Sequence, residues 1–371
     1  VGHLPSLDGL RGASFLLVFL AHAGLGGWVP GGFGVTVFFF LSGFLITTQL
    51  RLEQDATGGL SLRRFYLRRA LRILPPFYLV LALAVAATEL GWLAGRATLP
   101  AVSAIGLHAA NYWVIAAGYG GQPAGTGVYW SLAVEEHFYL LFPALLLLLA
   151  HALPRRRAQA SVLWSVCLVI LAWRCVLVYV AHASTDRTYV ATDTRADSIL
   201  YGCALALAAH PALDGPSFLS STTWKRWLVP AAIALLLVTF VCRDDGFRES
   251  FRYTLQGLAL YPVFIVALRW PSWGPFAILN TKPAAFLGEL SYALYLVHHV
   301  VLDALEPLLG RGVLRGVAGL AVSLVIAWAI HRLVEKPCAR LRRRLERSRP
   351  GTSSVEPVPS PGLVLQGARE S

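Results

Sequence analysis

Charge is what this sequence has least of. Asp, Glu, Lys and Arg together make up 14% of its 371 residues, against 56% hydrophobic, and the mean hydropathy is +0.59. So little charge excludes a disordered chain and an ordinary soluble domain, and leaves a polytopic membrane protein. Acids are scarcer than bases, 20 against 32, for a net charge of +12. That excess could suit nucleic acid, but the basic residues gather in short segments between apolar stretches, as the positive-inside rule dictates. No nucleic-acid partner is therefore expected. Only five cysteines occur, Cys167, Cys175, Cys203, Cys242 and Cys338. Four lie in or beside apolar runs and none has metal-ligand spacing, so neither a disulfide framework nor a metal site is expected. Methionine is absent altogether and Val1 stands first, so the native start is expected to be a non-standard codon or to lie upstream.

What is present is a succession of apolar stretches. Residues 8–28, DGLRGASFLLVFLAHAGLGGW, are long enough to cross a bilayer as a helix, yet they contain Arg11 and His22. That separation is about three helical turns, so the two share a face with about 16 Å of axis between them. An ionisable side chain within a span is a functional-site hypothesis by default, and a histidine can move a proton near neutral pH. The alternative is a helix-to-helix hydrogen bond for His22 and a snorkelling Arg11. A signal peptide cut after Ala21-His22-Ala23 is disfavoured, because histidine is an odd choice before a cleavage site and the rest of the chain is no soluble domain.

Further spans are expected at 33–50, 75–94, 130–153, 161–181, 196–209, 227–242, 254–268, 286–309 and 313–333, with Asp8 or Ser6 capping the first helix. Residues 100–117 are apolar but hold His108 and Asn111. A crossing there would strand Arg155, Arg156, Arg157 and the basic C-terminal run outside, so an interfacial or re-entrant segment is expected. The fold expected is all-α, a polytopic membrane protein of ten transmembrane helices with both termini cytoplasmic. The arginine-dense loop that holds Arg63, Arg64, Arg68, Arg69 and Arg72 then falls inside. Residues 1–337 form the membrane domain and 338–371 a basic, then Pro/Ser/Gly-rich cytoplasmic tail, expected to be disordered.

The fourth span opens WSLAVEEHFYLLFP. Glu135 and Glu136 enter the bilayer beside His137, flanked by Trp130 and Tyr139; Glu135 and Tyr139 are one turn apart and can present an acid and a phenol on one face. One of the two carboxylates could be merely interfacial. Ser42 has no base beside it in sequence, and with Gly43 adjacent, close helix packing is the plainer reading. His298 shares a face with Ser291 and Tyr295, so it lines the same cavity or is a core hydrogen-bonder. Arg195 and Asp197 can pair with each other as a latch or contact the acceptor.

Taken together, these stretches resemble acyltransferase family 3, membrane proteins that move acyl groups onto sugars and other hydroxyl-bearing acceptors. Arg11 and His22 match its Arg-x10-His. FFFLSGFLIT with Ser42, FYLRRALRILPPFY with Arg69, Arg72 and Pro75, and WSLAVEEHFYLLFP match later markers, as do TRADSILYG and LGELSYALYLVHH, the latter with Ser291, Tyr292, Tyr295 and His298. The resemblance runs from LDGLRG to Glu335-Lys336-Pro337. His137 stands where many relatives have Gln, and with no hydrolase-like domain after the last span, a stand-alone member is expected.

The resemblance implies an acyl-CoA donor, in particular acetyl-CoA, with no permanently bound cofactor and no metal. Arg68, Arg69 and Arg72, with Ser42, would bind the donor; the simpler account of the arginines is a topology signal. His22 would be general base or acyl carrier, Glu135 its orienting carboxylate with Glu136 as fallback, and Arg11 would hold the donor or the oxyanion. Trp130, Tyr139, Arg195, Asp197, Ser291, Tyr295 and His298 would line the cavity. The acceptor expected is a sugar hydroxyl on a cell-surface or lipid-linked glycan, in the bacterial inner membrane; some relatives acylate macrolides instead. A proton-coupled transporter is the rival from another class, weakened by the lack of any evident internal repeat.

Overall fold

The computed structural model describes residues 6–347 other than 216 and 218. Among them there is no β-strand. Seven of the described helices are long and apolar enough to cross a membrane, and a bent pair, Arg252–Arg269 with Gly274–Asn280, makes an eighth if taken as one span. In chain order the elements are α1 (Leu7–Leu20), a π turn (Ala21–Leu25), α2 (Gly31–Thr57), α3 (Leu62–Glu89), α4 (Leu99–Gly106), α5 (Ala110–Ala117), α6 (Trp130–Ala152), α7 (Arg156–Tyr179), α8 (Thr185–Val190) and α9 (Thr192–Ala208). Then α10 (Ser221–Thr223) runs through a π turn (Trp224–Leu228) into α11 (Val229–Val241), followed by α12 (Asp245–Glu249), α13 (Arg252–Arg269), α14 (Lys282–Leu309), α15 (Val313–Ile330), a π turn (His331–Glu335) and α16 (Lys336–Arg347).

Helices α1 and α9, expected as full spans, are short: 14 and 17 residues. They are also inner helices. Nearly every side chain of α9 from Thr194 onward is buried, because α9 lies between α2, α7 and α13. Two seams of small residues let backbones touch, as packing between membrane helices favours. A Cβ on Gly43 would strike the Ile199 carbonyl and one on Gly202 the Phe40 carbonyl, so α2 and α9 meet reciprocally. Gly12 and Gly288 do the same for α1 against α14. Close packing falls to Gly43, whereas Ser42 beside it faces a cavity.

Four expectations are corrected. The basic segment before Pro75 is not a loop but the first three turns of α3, which begins where Ser61 caps the Arg64 amide at 3.4 Å. Pro75 and Pro76 read as a helix start, but the helix runs through them; proline costs the ladder a donor, and in a packed membrane bundle neighbouring groups make up for it. One turn of the same helix is tied to α14, where Tyr292 donates to the Ile73 carbonyl at 2.9 Å. Ser6 occupies the N-cap of α1 but makes no cap bond; its hydroxyl donates instead to the Ala267 carbonyl at 2.7 Å. Finally, residues 338–347 of the expected tail are helical, and the rest of that tail, like Val1, lies outside the described residues. Residues 100–117 form two short helices broken at His108, whose φ is 55°.

Candidate active site

A cavity of about 800 Å³ lies at the centre of the bundle. α1 contributes Arg11, α2 contributes Val35 and Ser42, α3 contributes Arg69 and Arg72, and α6 contributes Ser131, Glu135, Glu136 and Tyr139. α14 closes it with Ser291, Tyr292 and Tyr295. The one-turn spacing of Glu135 and Tyr139 does put both on one face, and Ser42 comes between them. Tyr139 donates to Ser42 Oγ at 3.1 Å, and Ser42 donates to Glu135 Oε1 at 2.6 Å. The base absent from the sequence around Ser42 is therefore supplied across 93 residues by α6.

The arginines divide. Arg69 lies with its guanidinium 4.9 Å from the Tyr139 ring centroid, and its Nη2 is buried with no hydrogen-bond partner among the described residues. Arg72 shares the cavity wall. Arg68 points away and pairs with Glu53 at 2.6 Å. Arg11 stays 3.9 Å from Asp8 and borders both the central cavity and a second one beneath α16.

His22 occupies a different cavity, of about 540 Å³, with Trp130, Tyr189, Val35 and Tyr295. Val35 and Tyr295 belong to both spaces, so the two cavities share a wall. Among the described residues no contact joins His22 to Glu135; its ring partner is His298. His22 Nδ1 is 3.0 Å from His298 Nε2. His298 Nδ1 lies 2.9 Å from the Tyr295 carbonyl and 3.2 Å from the Leu294 carbonyl. Carbonyls only accept, so Nδ1 of His298 carries a hydrogen, and in the neutral ring its Nε2 is the acceptor. His22 Nδ1 must then be the donor, which leaves the lone pair of His22 on Nε2. A hydrogen bond on one ring nitrogen sets the state of the other, and here it leaves Nε2 of His22 as the nitrogen free to accept.

Arg195 and Asp197 do not pair, because residues two apart on a helix do not face each other. Asp197 binds Arg174 at 2.7 Å, with neither side chain exposed. Arg195 is caged by the rings of Phe39, Trp130, Tyr189 and Tyr253, the last with its centroid 3.9 Å away. His137 is held by Thr192 at 2.7 Å, outside the central cavity. Several residues were missed in the sequence. His299, whose ring centroid is 4.5 Å from that of His22, carried the signal of a paired histidine within a span. Arg174 is an ionisable residue alone in an apolar stretch, the same signal that marked His22. Arg315, which donates to the His22 carbonyl at 3.4 Å, sits too near a span end to stand out.

Set against known proteins, residues 4–332 match the family described as an acyltransferase domain. The chain is similar to the peptidoglycan O-acetyltransferase OatA of Listeria monocytogenes serovar 1/2a, 29% identical over 90% of this chain and 56% of that protein. It is also similar to the O-acetyltransferase OatA of Staphylococcus aureus, 31% identical over 81% of this chain and 51% of that one. The chain spans about half the length of these curated relatives. No solved structure matches it at a significant level.

Proposed function

The chain belongs to the acyltransferase 3 family of O-acyltransferases, and on that premise we propose that it moves an acetyl group from cytoplasmic acetyl-CoA to a sugar hydroxyl of a cell-surface or lipid-linked glycan. The observation that carries this reading is the succession of cavities: Arg69 and Arg72, with no ion pair among the described residues, at one, and His22 in the next, with Val35 and Tyr295 between. The donor's phosphates bind the arginines, which present paired donors to phosphate oxygens. The pantetheine arm enters the central cavity, where Ser42, Glu135 and Tyr139 meet its amides. Arg11 is about 16 Å along its helix from His22, so it holds the donor rather than the oxyanion.

The acceptor hydroxyl lies beside His22 Nε2, which takes its proton as the oxygen attacks the thioester carbonyl carbon. The C–S bond breaks, and the imidazolium returns the proton to the leaving thiolate, giving an ester and free CoA. The direct test is incubation of the purified protein with labelled acetyl-CoA and a hydroxyl-bearing glycan extract. Label in the glycan, lost with His22→Gln, is expected. Proton-coupled solute uptake into liposomes with no label transferred would instead favour a transporter.

Topology follows from charge. Short α1 and α9 bring the helices that cross to ten, with both termini cytoplasmic. Cysteines placed near Arg64, Arg156 and Arg344 should label from the cytoplasm, and those near Gly120 and Asp245 from outside. Positions 120 and 156 labelling from one side would sink the ten-helix count.

Donor binding gives a second test. Arg69→Ala should weaken donor use by about ten- to a hundredfold, the range for a lost hydrogen bond to a charged group. Arg69→Lys should recover only part, since a point charge lacks the planar fork. Kinetics at limiting acetyl-CoA decide: wild-type behaviour of both variants would make these arginines a topology signal alone.

A further inference from the structure

Glu335-Lys336-Pro337 takes no part in the reaction above, yet it shapes the end of the bundle. Pro337 cannot donate to the Leu333 carbonyl, and its ring crowds that carbonyl. Immediately before it the helix widens into the π turn His331–Glu335, a device that accommodates a break in the ladder. His331 fixes the turn, with Nδ1 2.6 Å from Glu335 and Nε2 3.0 Å from Glu289 of α14. Beyond it α16 packs against α3.

Helix α16 has two faces. Glu335, Cys338, Ala339 and Arg342 recur at one-face spacing and all border a cavity of about 910 Å³ shared with Arg11 and Arg72. Arg340, Arg343 and Arg344 are exposed, and these suffice for a positive-inside signal. Arg342 is the exception that signal does not explain. It also borders a cavity of about 930 Å³ with Arg64, Arg68, Arg69 and Arg72. Among the described residues the single carboxylate there, Glu53, is taken by Arg68. Arg342 Nε and Arg69 Nη2 are both buried, with no hydrogen-bond partner among the described residues. Crowded like charges and unpaired buried donors are each unfavourable, and one anion relieves both.

We propose that α16 is the second wall of the donor's phosphate site, with Arg342 a direct phosphate ligand opposite Arg69 and Arg72. This rests on the acyl-CoA reading above. A phosphate could equally come from an anionic lipid headgroup. The donor is favoured because Arg69 and Arg72 also line the central cavity that the thioester must enter.

The experiment measures binding of CoA, and separately of pantetheine, which has the arm without the phosphates. The full chain is used in nanodiscs of zwitterionic lipid, as wild type, Arg342→Ala, Arg342→Gln and Arg343→Ala. Both Arg342 variants should bind CoA about ten- to a hundredfold more weakly, as expected for a lost charge-assisted contact. Arg343→Ala should match wild type, and pantetheine should bind all four alike, which also reports an intact fold. If wild type binds CoA and the Arg342 variants bind it equally well, the α16 proposal fails and the donor reading stands. If wild type binds no CoA, both fail. If Arg342→Ala loses pantetheine as well, Arg342→Gln decides by the same comparison. Loss of co-purifying phosphatidylglycerol from the Arg342 variants with CoA affinity unchanged would mark a lipid site and overturn the proposal.

Discussion

His22→Gln should bind acyl-CoA as wild type does and transfer almost nothing. A general base contributes on the order of 10²- to 10⁴-fold, whereas one lost hydrogen bond of about 1 kcal/mol gives roughly fivefold. Glutamine keeps a polar group that can still donate to His298 Nε2, so the packing between α1 and α14 survives. It cannot take a proton at neutral pH, so the Nε2 lone pair that the hydrogen-bond chain leaves free has no replacement. His298 acts through His22 and should behave differently. His298→Phe removes the acceptor that fixes the tautomer, and turnover should fall while donor binding holds; His298→Gln, whose amide oxygen can accept from His22 Nδ1, should recover part of it. Single-turnover rates on purified, folded protein are the measurement. More than about a tenth of wild-type turnover in His22→Gln, set against the general-base range, would remove His22 as the base.

The candidate site was legible where the sequence broke a strong rule. Arginine at position 11, histidine at 22 and the Glu135-Glu136 pair are conspicuous because lipid-spanning segments avoid such residues, and all four line cavities. Pairing was less legible. Helical spacing says which residues share a face of one helix, not which helix that face meets. His22 finds His298 across 276 residues, and Glu135 finds Ser42 rather than His22. Arg195 and Asp197 looked like partners because they are near in sequence, but on α9 they point into different surroundings, one among aromatic rings and one at Arg174. The basic segment before Pro75 was obscured by a local signal, since two prolines imitate a helix start while the bundle carries the helix through them. Short α9 could not be told from a full span, because its apolar run reads the same whether lipid or protein surrounds it.

Asp197→Asn should cost about 3–5 kcal/mol of stability, the usual effect of removing one partner from a buried ion pair. Arg174 has no exposure and makes four hydrogen bonds: to the Ser250 carbonyl at 2.9 Å, the Thr194 carbonyl at 2.6 Å, Asp197 Oδ2 at 2.7 Å and Thr254 Oγ1 at 2.7 Å. It pins α7 to α9 and to the start of α13. Only Asp197 among these partners carries a charge. Asparagine keeps the shape, and its oxygen can still accept from the Ser198 amide, as Asp197 Oδ1 does at 2.8 Å. Its amide nitrogen would then face the Arg174 guanidinium, donor against donor, with the cation left uncompensated in the interior. Arg187→Ala is the control, because the Arg187–Asp193 pair at 2.5 Å is partly exposed on both sides and such pairs contribute about 0–1 kcal/mol. Thermal unfolding in detergent, followed by size-exclusion recovery, should show a melting-temperature drop for Asp197→Asn several times that of Arg187→Ala. Because Asp197 touches neither cavity wall, the folded fraction of Asp197→Asn should keep wild-type turnover per active molecule. Equal melting of Asp197→Asn and wild type would mean that Arg174 is satisfied by the neutral carbonyls and hydroxyl alone, and that the pair does not hold α7 to α9.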